Sequence, residues 1–528
     1  NTQTTIMPTG LTVEGNVYVS SNLEVGKVGN DVLPTWYQTI SGTSTKIVRD
    51  MAVDSGGDVY VTGYYNSTST VSLGNGLNLP VTSGSDGFIV KYNSSGTAQW
   101  YQTISGTSSG QANGIAVDSG GNVYVTGYYN STTAVSLGPS LDLPITTRND
   151  VFIVKYNSSG TAQWYQTIAG TFTDAGYDIA VDSGGNVYVT GFYTSSTTVS
   201  LGNGLNLPVS AMYDVIIVKY DTYGIAQWYE TIPGPDTDIG HSIAVDSGGN
   251  VYVSGYYTSG STVSLGNGLN LPSTAYDTDL FIVKYNSSGT AQWYQTISPM
   301  DPYNEAIGMA VDSEGNVYVT GYYQSTTAVS LGNNLELPIP SGYDSEVFIV
   351  KYDTSGTAQW YQTIPGTAYD VGYGIAVDPS GSVYATGYYN SITPVSLGNG
   401  LNLPASTYND VYIVKYDTSG TAQWYQTISG TGTDVGSAVA VDSGGKVYVT
   451  GYYTSTTPVS LGNDLNLPVS SGNDIFIVKY DSSIPIFFID ATTARVGIGT
   501  STPGYTLDVA GNINFTGALT QNGTTYGG

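Results

Sequence analysis

The chain has 528 residues, with 40 acidic against 13 basic side chains and a formal net charge of −27. That balance excludes a nucleic-acid binder, which needs a basic footprint, and argues against anionic membrane surfaces. There is no cysteine, so disulfides and thiolate metal sites are excluded, and no apolar run approaches the ~18 residues of a membrane span. Only 10% of residues are charged, against about 25% in ordinary domains. Gly, Ser, Thr, Asn and Tyr take their place and favour turns and strands over long helices.

The first segment, residues 1–34, starts at Asn1 with neither Met nor a signal-like stretch, as a processed product would. It carries "LTVEGNVYVSSNL" (Leu11–Leu23), whose apolar residues alternate around a Gly-Asn pair and read as short strands with a tight bend. A lone "WYQTI" follows at Trp36–Ile40.

From there to Asp481 one unit recurs. Near copies of "AVDSGGNVYVTGYY" place an Asp at Asp54, Asp118, Asp182, Asp246, Asp312, Asp378 and Asp442, in steps of 64, 64, 64, 66, 66 and 64 residues. A fixed long period means one supersecondary unit copied. In the second copy four strand-like pieces are legible: "GIAVD" (Gly114–Asp118), "NVYVTGYY" (Asn122–Tyr129), "DVFIVKY" (Asp150–Tyr156) and "AQWYQTI" (Ala162–Ile168). They are rich in Val, Ile, Tyr and Phe and bounded by Gly, Asp, Asn and Ser. Several are apolar on consecutive positions, so both faces must be covered, which radially stacked four-stranded sheets achieve. The seven Trp all fall at one repeat position: Trp36, Trp100, Trp164, Trp228, Trp293, Trp360 and Trp424. The last copy stops after Lys479 without such a strand, so the strand at Trp36–Ile40 is expected to complete the seventh blade. The expected fold is all-β: a seven-bladed β-propeller of four-stranded blades over residues 35–481, closed by its N-terminal strand. An open solenoid would leave two unpaired edges.

These motifs ("GNVYVTGYY", "VSLG", "DVFIVKY", "AQWYQTI" and "GIAVD") are similar to the SBBP-type β-propeller repeats of bacterial and viral surface proteins. The resemblance covers about Thr35 to Asp481 and implies the propeller, but no particular activity.

The last segment, residues 482–528, repeats the pattern of the first. "LDVAGNINFTGAL" (Leu507–Leu519) aligns with Leu11–Leu23 without gaps, matching at Leu11/Leu507, Val13/Val509, Gly15/Gly511, Asn16/Asn512 and Leu23/Leu519. Each piece is too short to bury a core alone, so both are expected to form short β-structured shaft segments that self-associate, as a trimer or a head-to-tail filament. "RVGIGTSTPGYTLDVAGNINFTG" (Arg495–Gly517) resembles the shaft modules of phage tail fibres and giant-virus fibre-like proteins. That resemblance implies trimeric β-structure, often ahead of a self-cleaving chaperone domain; here such a domain was either cleaved away or never present.

Strands that run alternately up and down put the "DSGGN" and "NSSGT" turns on one, nearly uniform, face. The connections with "VSLGNGLNLP" and the links from "WYQTI" to the next "AVD" are expected on the other. The links diverge: "SGTSTKIVRDM" (Ser41–Met51), "AGTFTDAGYD" (Ala169–Asp178), "PGPDTDIGHS" (Pro233–Ser242), "SPMDPYNEAIG" (Ser298–Gly308) and "PGTAYDVGYG" (Pro365–Gly374). A scaffold keeps its strands and varies the loops that carry function. Asp174, Asp236, Asp238, His241, Asp301, Tyr303, Tyr369 and Asp370 are therefore the expected ligand-binding residues, lining this variable face.

The chemistry available is limited. His241 is the single histidine, so a His-based metal cluster within one chain is excluded and a Ser-His-Asp triad could use only this residue. No unique acidic pair stands out, and no catalytic residue is assigned. The seven turn Asp lack the alternating oxygen supply of a dedicated calcium loop; they are expected to bond their own turn amides, and no cofactor is expected. The seven "KY" Lys are expected to pair with carboxylates in their own or the next blade. Exposed Tyr, among 47 in the chain, offer an apolar ring and a polar tip on which sugars stack.

The functional expectation is a non-enzymatic surface-appendage or virion fibre protein, extracellular, displaying a propeller for attachment to a glycan or protein receptor and assembling through its ends. The alternative is a secreted monomeric propeller that binds or cleaves carbohydrate.

Overall fold

In the computed structural model, which describes residues 23–25, 32–42, 45–139, 141–274, 278–298, 305–340, 344–481, 487–490, 495–498, 507–509, 519–521 and 524–526, every regular element is a β-strand. Each repeat folds into a four-stranded antiparallel sheet whose strands follow one another outward from an axis. Blade one takes Lys46–Val53, Val59–Tyr65, Asp86–Tyr92 and Ala98–Ile104 in that order. Blade seven takes Val435–Val441, Val447–Tyr453 and Asp474–Asp481, and its outermost strand is Leu33–Ile40 from the other end of the ring sequence. The innermost strands touch in succession, the last against the first, so the seven-bladed ring is closed.

The core lies between blades, which is why the strands are apolar on consecutive residues. Tyr188, Val215, Ile217 and Ile232 of blade three pack against Ile243, Val251, Val253 and Phe281 of blade four, all fully or almost fully buried. Each buried side chain of this size contributes about 1.5–3 kcal/mol, so these interfaces dominate the stability of the ring. Polar devices add register. The indole N–H of Trp36 donates to Ser94 O of the next blade (3.1 Å), and Trp100, Trp164, Trp228, Trp293 and Trp360 repeat the contact on Ser158, Thr222, Ser287, Thr354 and Thr418. Gly96, at φ 80°, lies beneath the Trp36 ring, where a Cβ would come within 2.9 Å of it. That residue must be glycine both for its backbone and for its neighbour.

The turn Asp behave as expected from their sequence. Asp118 Oδ1 accepts the amides of Gly120 and Asn122, and its Oδ2 accepts the hydroxyl of Tyr124 at 2.9 Å. Burial alone would raise its pKa, but these bonds, with one from the Asn122 side chain, hold it below the ordinary value. The lysines differ from expectation. Each "KY" Lys lies over the ring of the Tyr that bonds the turn Asp, from Lys91 over Tyr60 (5.0 Å) round to Lys479 over Tyr448 (5.1 Å). Carboxylate pairing accompanies this at Lys91–Asp58 (2.9 Å) and Lys415–Asp378 (3.8 Å). The Tyr that bonds the turn carboxylate is held beside the lysine, so its ring face is a surface the ammonium meets in every blade, with or without a carboxylate nearby.

The "VSLGNGLNLP" connections also depart from expectation. They form hairpins such as Val71–Gly74 with Leu77–Leu79, turned at Asn75 (φ 51°) and Gly76 (φ 76°). The hairpin leaves from the link face, where the Tyr65 hydroxyl donates to Pro80 O, but its tip reaches the other face, where Asn75 Nδ2 donates to Ala98 O at 2.9 Å. It therefore lies along the outermost strand rather than on the link face, burying Val71, Leu73 and Leu79. An uncovered outer edge would be a template for aggregation.

The closing seam has its own chemistry. Lys46 Nζ lies 3.4 Å from Asp474 Oδ1 with the two side chains 0% and 1% exposed, and it donates to Gly42 O at 2.6 Å. Thr35 Oγ1 donates to Lys479 O, so the chain enters and leaves the ring side by side on the short-turn face. Residues outside the ring form a second unit. In it Leu23–Val25, Phe487–Asp490, Arg495–Ile498 and Leu507–Val509 pair in that order, with Leu23 facing Ile489, and Leu519–Gln521 pairs with Thr524–Tyr526. Most of the matched Leu11–Leu23 and Leu507–Leu519 pattern lies outside the described residues.

Removing one partner of a buried ion pair strands the other charge, which costs about 3–5 kcal/mol, whereas replacing both with apolar groups is often neutral. Lys46→Met should lower stability in urea denaturation by about that amount, and Lys46→Met with Asp474→Leu should recover most of it. A single variant as stable as the parent would show that the seam does not depend on this pair.

Candidate functional site

Each innermost strand pairs regularly with its neighbour except at one step. In blade one Val48 faces Gly63 and Asp50 faces Thr62, leaving Arg49 unpaired. The same bulge recurs in every blade and leaves Asn113, Tyr177, His241, Ile307, Tyr373 and Ser437 unpaired. An extra residue in one strand bends it and re-aims a side chain. The bulge requires space on the facing strand, and the glycine of each "TGYY" step, "TGFY" in blade three and "SGYY" in blade four, supplies it. A Cβ on Gly63 would lie 2.1 Å from Ile47 O, and on Gly127, Gly191, Gly255, Gly321, Gly387 and Gly451 it would lie 1.9–2.0 Å from the corresponding carbonyl. No side chain tolerates such a contact, so the glycine is obligatory at all seven places.

All seven bulge residues line one cavity of about 690 Å³ on the axis of the ring. That volume is in the range of small-ligand sites. The lining comes from the halves of the inner strands that adjoin the links. Around it the chemistry is uneven. Arg49 is exposed, its guanidinium 5.4 Å from the centre of the Tyr64 ring. Asp50 accepts the amides of Met51 (2.7 Å) and, in the next blade, Ile115 (2.9 Å). Asp178 accepts the amides of Ile179 (2.7 Å) and Ile243 (2.8 Å) and the hydroxyl of Ser242 (2.8 Å). Both residues are half-buried in the cavity wall, and burial pushes both carboxyls above the ordinary range; the charge of Asp178 pushes Asp50 further. Burial and the nearby Arg49 charge push His241 down to about 4, so the imidazole is neutral, packed between Tyr177 (5.1 Å) and Tyr256 (5.5 Å). Burial also raises Glu305, although a bond with Tyr322 counters it. The wall of blades five to seven is smaller and more apolar, with Ile307, Gly308, Met309, Gly374 and Ala438. Among the described residues no three His, Asp or Glu converge to hold a metal ion. The arrangement offers one strong cation, several neutral donors and acceptors, and aromatic faces, which suits binding of a small polar molecule.

The residues expected to line the link face are placed differently from one another. His241 is in the axial cavity. Asp236 is exposed, and Tyr369 is 56% exposed in its link. Asp301 and Tyr303 lie outside the described residues. Asp174, Asp238 and Asp370 do not present their carboxyls on that face: all three are fully buried. Asp174 accepts the amides of Gly170 and Thr194, Asp370 those of Gly366 (2.6 Å) and Asn390 (2.7 Å), and Asp238 that of Thr258 (2.8 Å). A tight link exposes few of its own amides to water, and these acids satisfy them. Asp434 does the same in the last link, and Lys46 holds the equivalent place at the closing seam. The bulge residues other than His241 were not singled out from sequence. A signal existed: five residues before the turn Asp, copies that otherwise hardly vary read Arg, Asn, Tyr, His, Ile, Tyr and Ser.

No protein-family model matches the chain. Over 467 residues it is 28% identical to an uncharacterized WD repeat-containing protein, L264, of Acanthamoeba polyphaga mimivirus, covering 72% of this chain and 33% of that protein. Over 424 residues it is 25% identical to the regulatory protein FlaEY of Caulobacter vibrioides, covering 74% of this chain and 41% of that protein. The chain thus spans less than half the length of either relative. Among solved structures, a protein of unknown function from Dyadobacter fermentans is 10% identical with a TM-score of 0.37, covering 85% of this chain and 99% of its own. The Dos1 propeller is 7% identical with a TM-score of 0.37, covering 85% and 94%.

The buried acids set a pH dependence. Burial, reinforced by Asp150, Asp214 and Glu346 respectively, pushes Asp174 up to about 7, Asp238 to about 8 and Asp370 to about 8. A carboxyl whose pKa rises on folding contributes stability that is complete below its unfolded value, about 4, and is lost as pH rises through its folded value. Asp118, Asp182, Asp246, Asp312 and Asp378, held low by bonds from their own turns, act oppositely and lose their contribution only below about 4. The melting temperature should therefore be highest near pH 5 and fall steadily towards pH 9, and Asp238→Asn should flatten the slope between pH 6 and 9. A melting temperature constant or rising over that interval would contradict the assignment.

Proposed function

We propose that the protein is a non-enzymatic attachment module, with the ring recognising a small polar ligand, a glycan in the first instance, in its axial cavity. One observation carries this reading. In copies whose strands and turns are nearly invariant, the seven side chains that the bulges direct into a common cavity are chemically diverse. A purely structural axis would be filled by repeated residues, as the blade interfaces are. The two ends of the ring lie side by side on the short-turn face, opposite the links. We further propose that the terminal segments, which resemble fibre shafts, join copies into a trimer or a head-to-tail filament on a virion or cell surface. The similarity to a mimivirus protein fits a virion setting.

A second reading, a secreted monomeric propeller that cleaves carbohydrate, draws on Asp50 and Asp178, two raised carboxyls in one cavity. Glycan arrays and native mass measurement separate the readings. The first expects retention of a restricted set of glycans without release of reducing sugar, by a protein that runs as a trimer or larger. A monomer that releases sugar from the retained glycans would favour the second, and an array without hits would remove support for both.

A further inference from the structure

We infer that the axial cavity is built for a carboxylated sugar, with Arg49 as the anchor for its carboxylate. The inference rests on the cavity being the recognition site and specifies what it recognises.

Of the seven bulge residues only Arg49 is charged at neutral pH, since His241 is neutral and the others are Asn113, Tyr177, Ile307, Tyr373 and Ser437. Its guanidinium makes neither an ion pair nor a hydrogen bond with the described residues; it lies by the Tyr64 ring, which leaves its five N–H donors uncommitted. Acids are not scarce in this chain, and Asp50 is the very next residue. Both Asp50 oxygens, however, are taken by the amides of Met51 and Ile115. Most other cations of the ring are engaged, Lys46 with Asp474, Lys446 with Asp481 and the "KY" lysines over tyrosine rings, and Arg148 lies outside the cavity lining. An arginine held over an aromatic ring with its fork free is a preorganised partner for a planar carboxylate, which it binds through two parallel hydrogen bonds.

Its flanks suit a polyhydroxylated body. Around the ring Arg49 stands between Asn113 of blade two and Ser437 of blade seven. Asn113 Nδ2 is committed to Gly176 O at 2.8 Å, which leaves its carbonyl oxygen to accept from a hydroxyl. Tyr128, Tyr177 and Tyr452 line the same cavity and offer ring faces, and Ile307 provides an apolar wall across it.

The net charge of −27 opposes an anionic ligand at long range. At physiological salt, however, charges farther than about 8 Å are largely screened, so contact with Arg49 outweighs the distant field. The acids nearest the cavity, Asp50, Asp178 and Glu305, are all biased by burial towards their neutral forms, which weakens their repulsion of a carboxylate.

The test uses the full chain and three free sugars: glucuronate, its neutral counterpart glucose, and N-acetylneuraminate. By titration calorimetry at pH 7 the parent should bind at least one of the acids about 10-fold or more tighter than glucose. Arg49→Gln should abolish that preference while leaving the melting temperature unchanged, and Arg49→Lys should restore only part of it. Equal binding of glucose and both acids, or a preference that survives in Arg49→Gln, would overturn the inference. So would retention of neutral glycans on the array without binding of either acid, although the recognition reading would then stand. If no glycan of any kind binds, both fall.

Discussion

Seven backbone carbonyls, one on each innermost strand, occupy space that a side chain on the neighbouring strand would need. That contact requires a glycine at the middle of each second strand, from Gly63 to Gly451, and permits the bulge opposite. The bulge leaves one residue outside the ladder, with its side chain on the shared cavity. Such a residue has no place in the strand ladder to keep, and its identity differs from blade to blade. The fold and the recognition surface are thereby separated within a single strand: glycine and its apolar neighbours are held by packing, and the bulged side chain is open to any chemistry.

Stability resides mainly away from the axis. Apolar residues on both faces of each sheet meet those of the next blade, at about 1.5–3 kcal/mol for each buried side chain. A lysine over a tyrosine ring contributes about 0.5–1 kcal/mol at exposed sites, so the seven such contacts position the strands more than they hold the ring together. The indoles reach across each blade junction, and the Asn-Gly hairpins cover the outer edges that would otherwise pair with other chains. The seam uses the same apolar interface, with Lys46 standing where four of the other links carry Asp174, Asp238, Asp370 and Asp434.

The ring was legible because its signals are redundant. The period, the alignment of the tryptophans and the unmatched first "WYQTI" all lead to a strand exchange that closes the circle, and the sheet of blade seven has that order. The site was less legible for identifiable reasons. Apolar patterning detects an inner strand only from "IAV" onward, so the bulged residue reads as the end of a variable link rather than as part of the strand. Aspartates in loops read as exposed because most are, whereas Asp174, Asp238 and Asp370 are consumed by amides that tight links would otherwise leave unsatisfied. The hairpins read as face decoration because sequence shows where a connection starts and not that it folds back. His241 stands out in the sequence as the single histidine, while Arg49 sits in a link that varies along its whole length.

The most direct test of an axial recognition site uses the absence of native cysteine, which makes any introduced thiol unique. Ser437→Cys places a thiol in the cavity and Ser72→Cys places one on an exposed outer hairpin. Each variant is coupled to a bulky maleimide and assayed on an immobilised glycan that the parent retains. Binding should be lost on modification at position 437 and retained on modification at position 72, with both proteins still folded. Undiminished binding by the protein modified at position 437 would place recognition elsewhere and contradict the account.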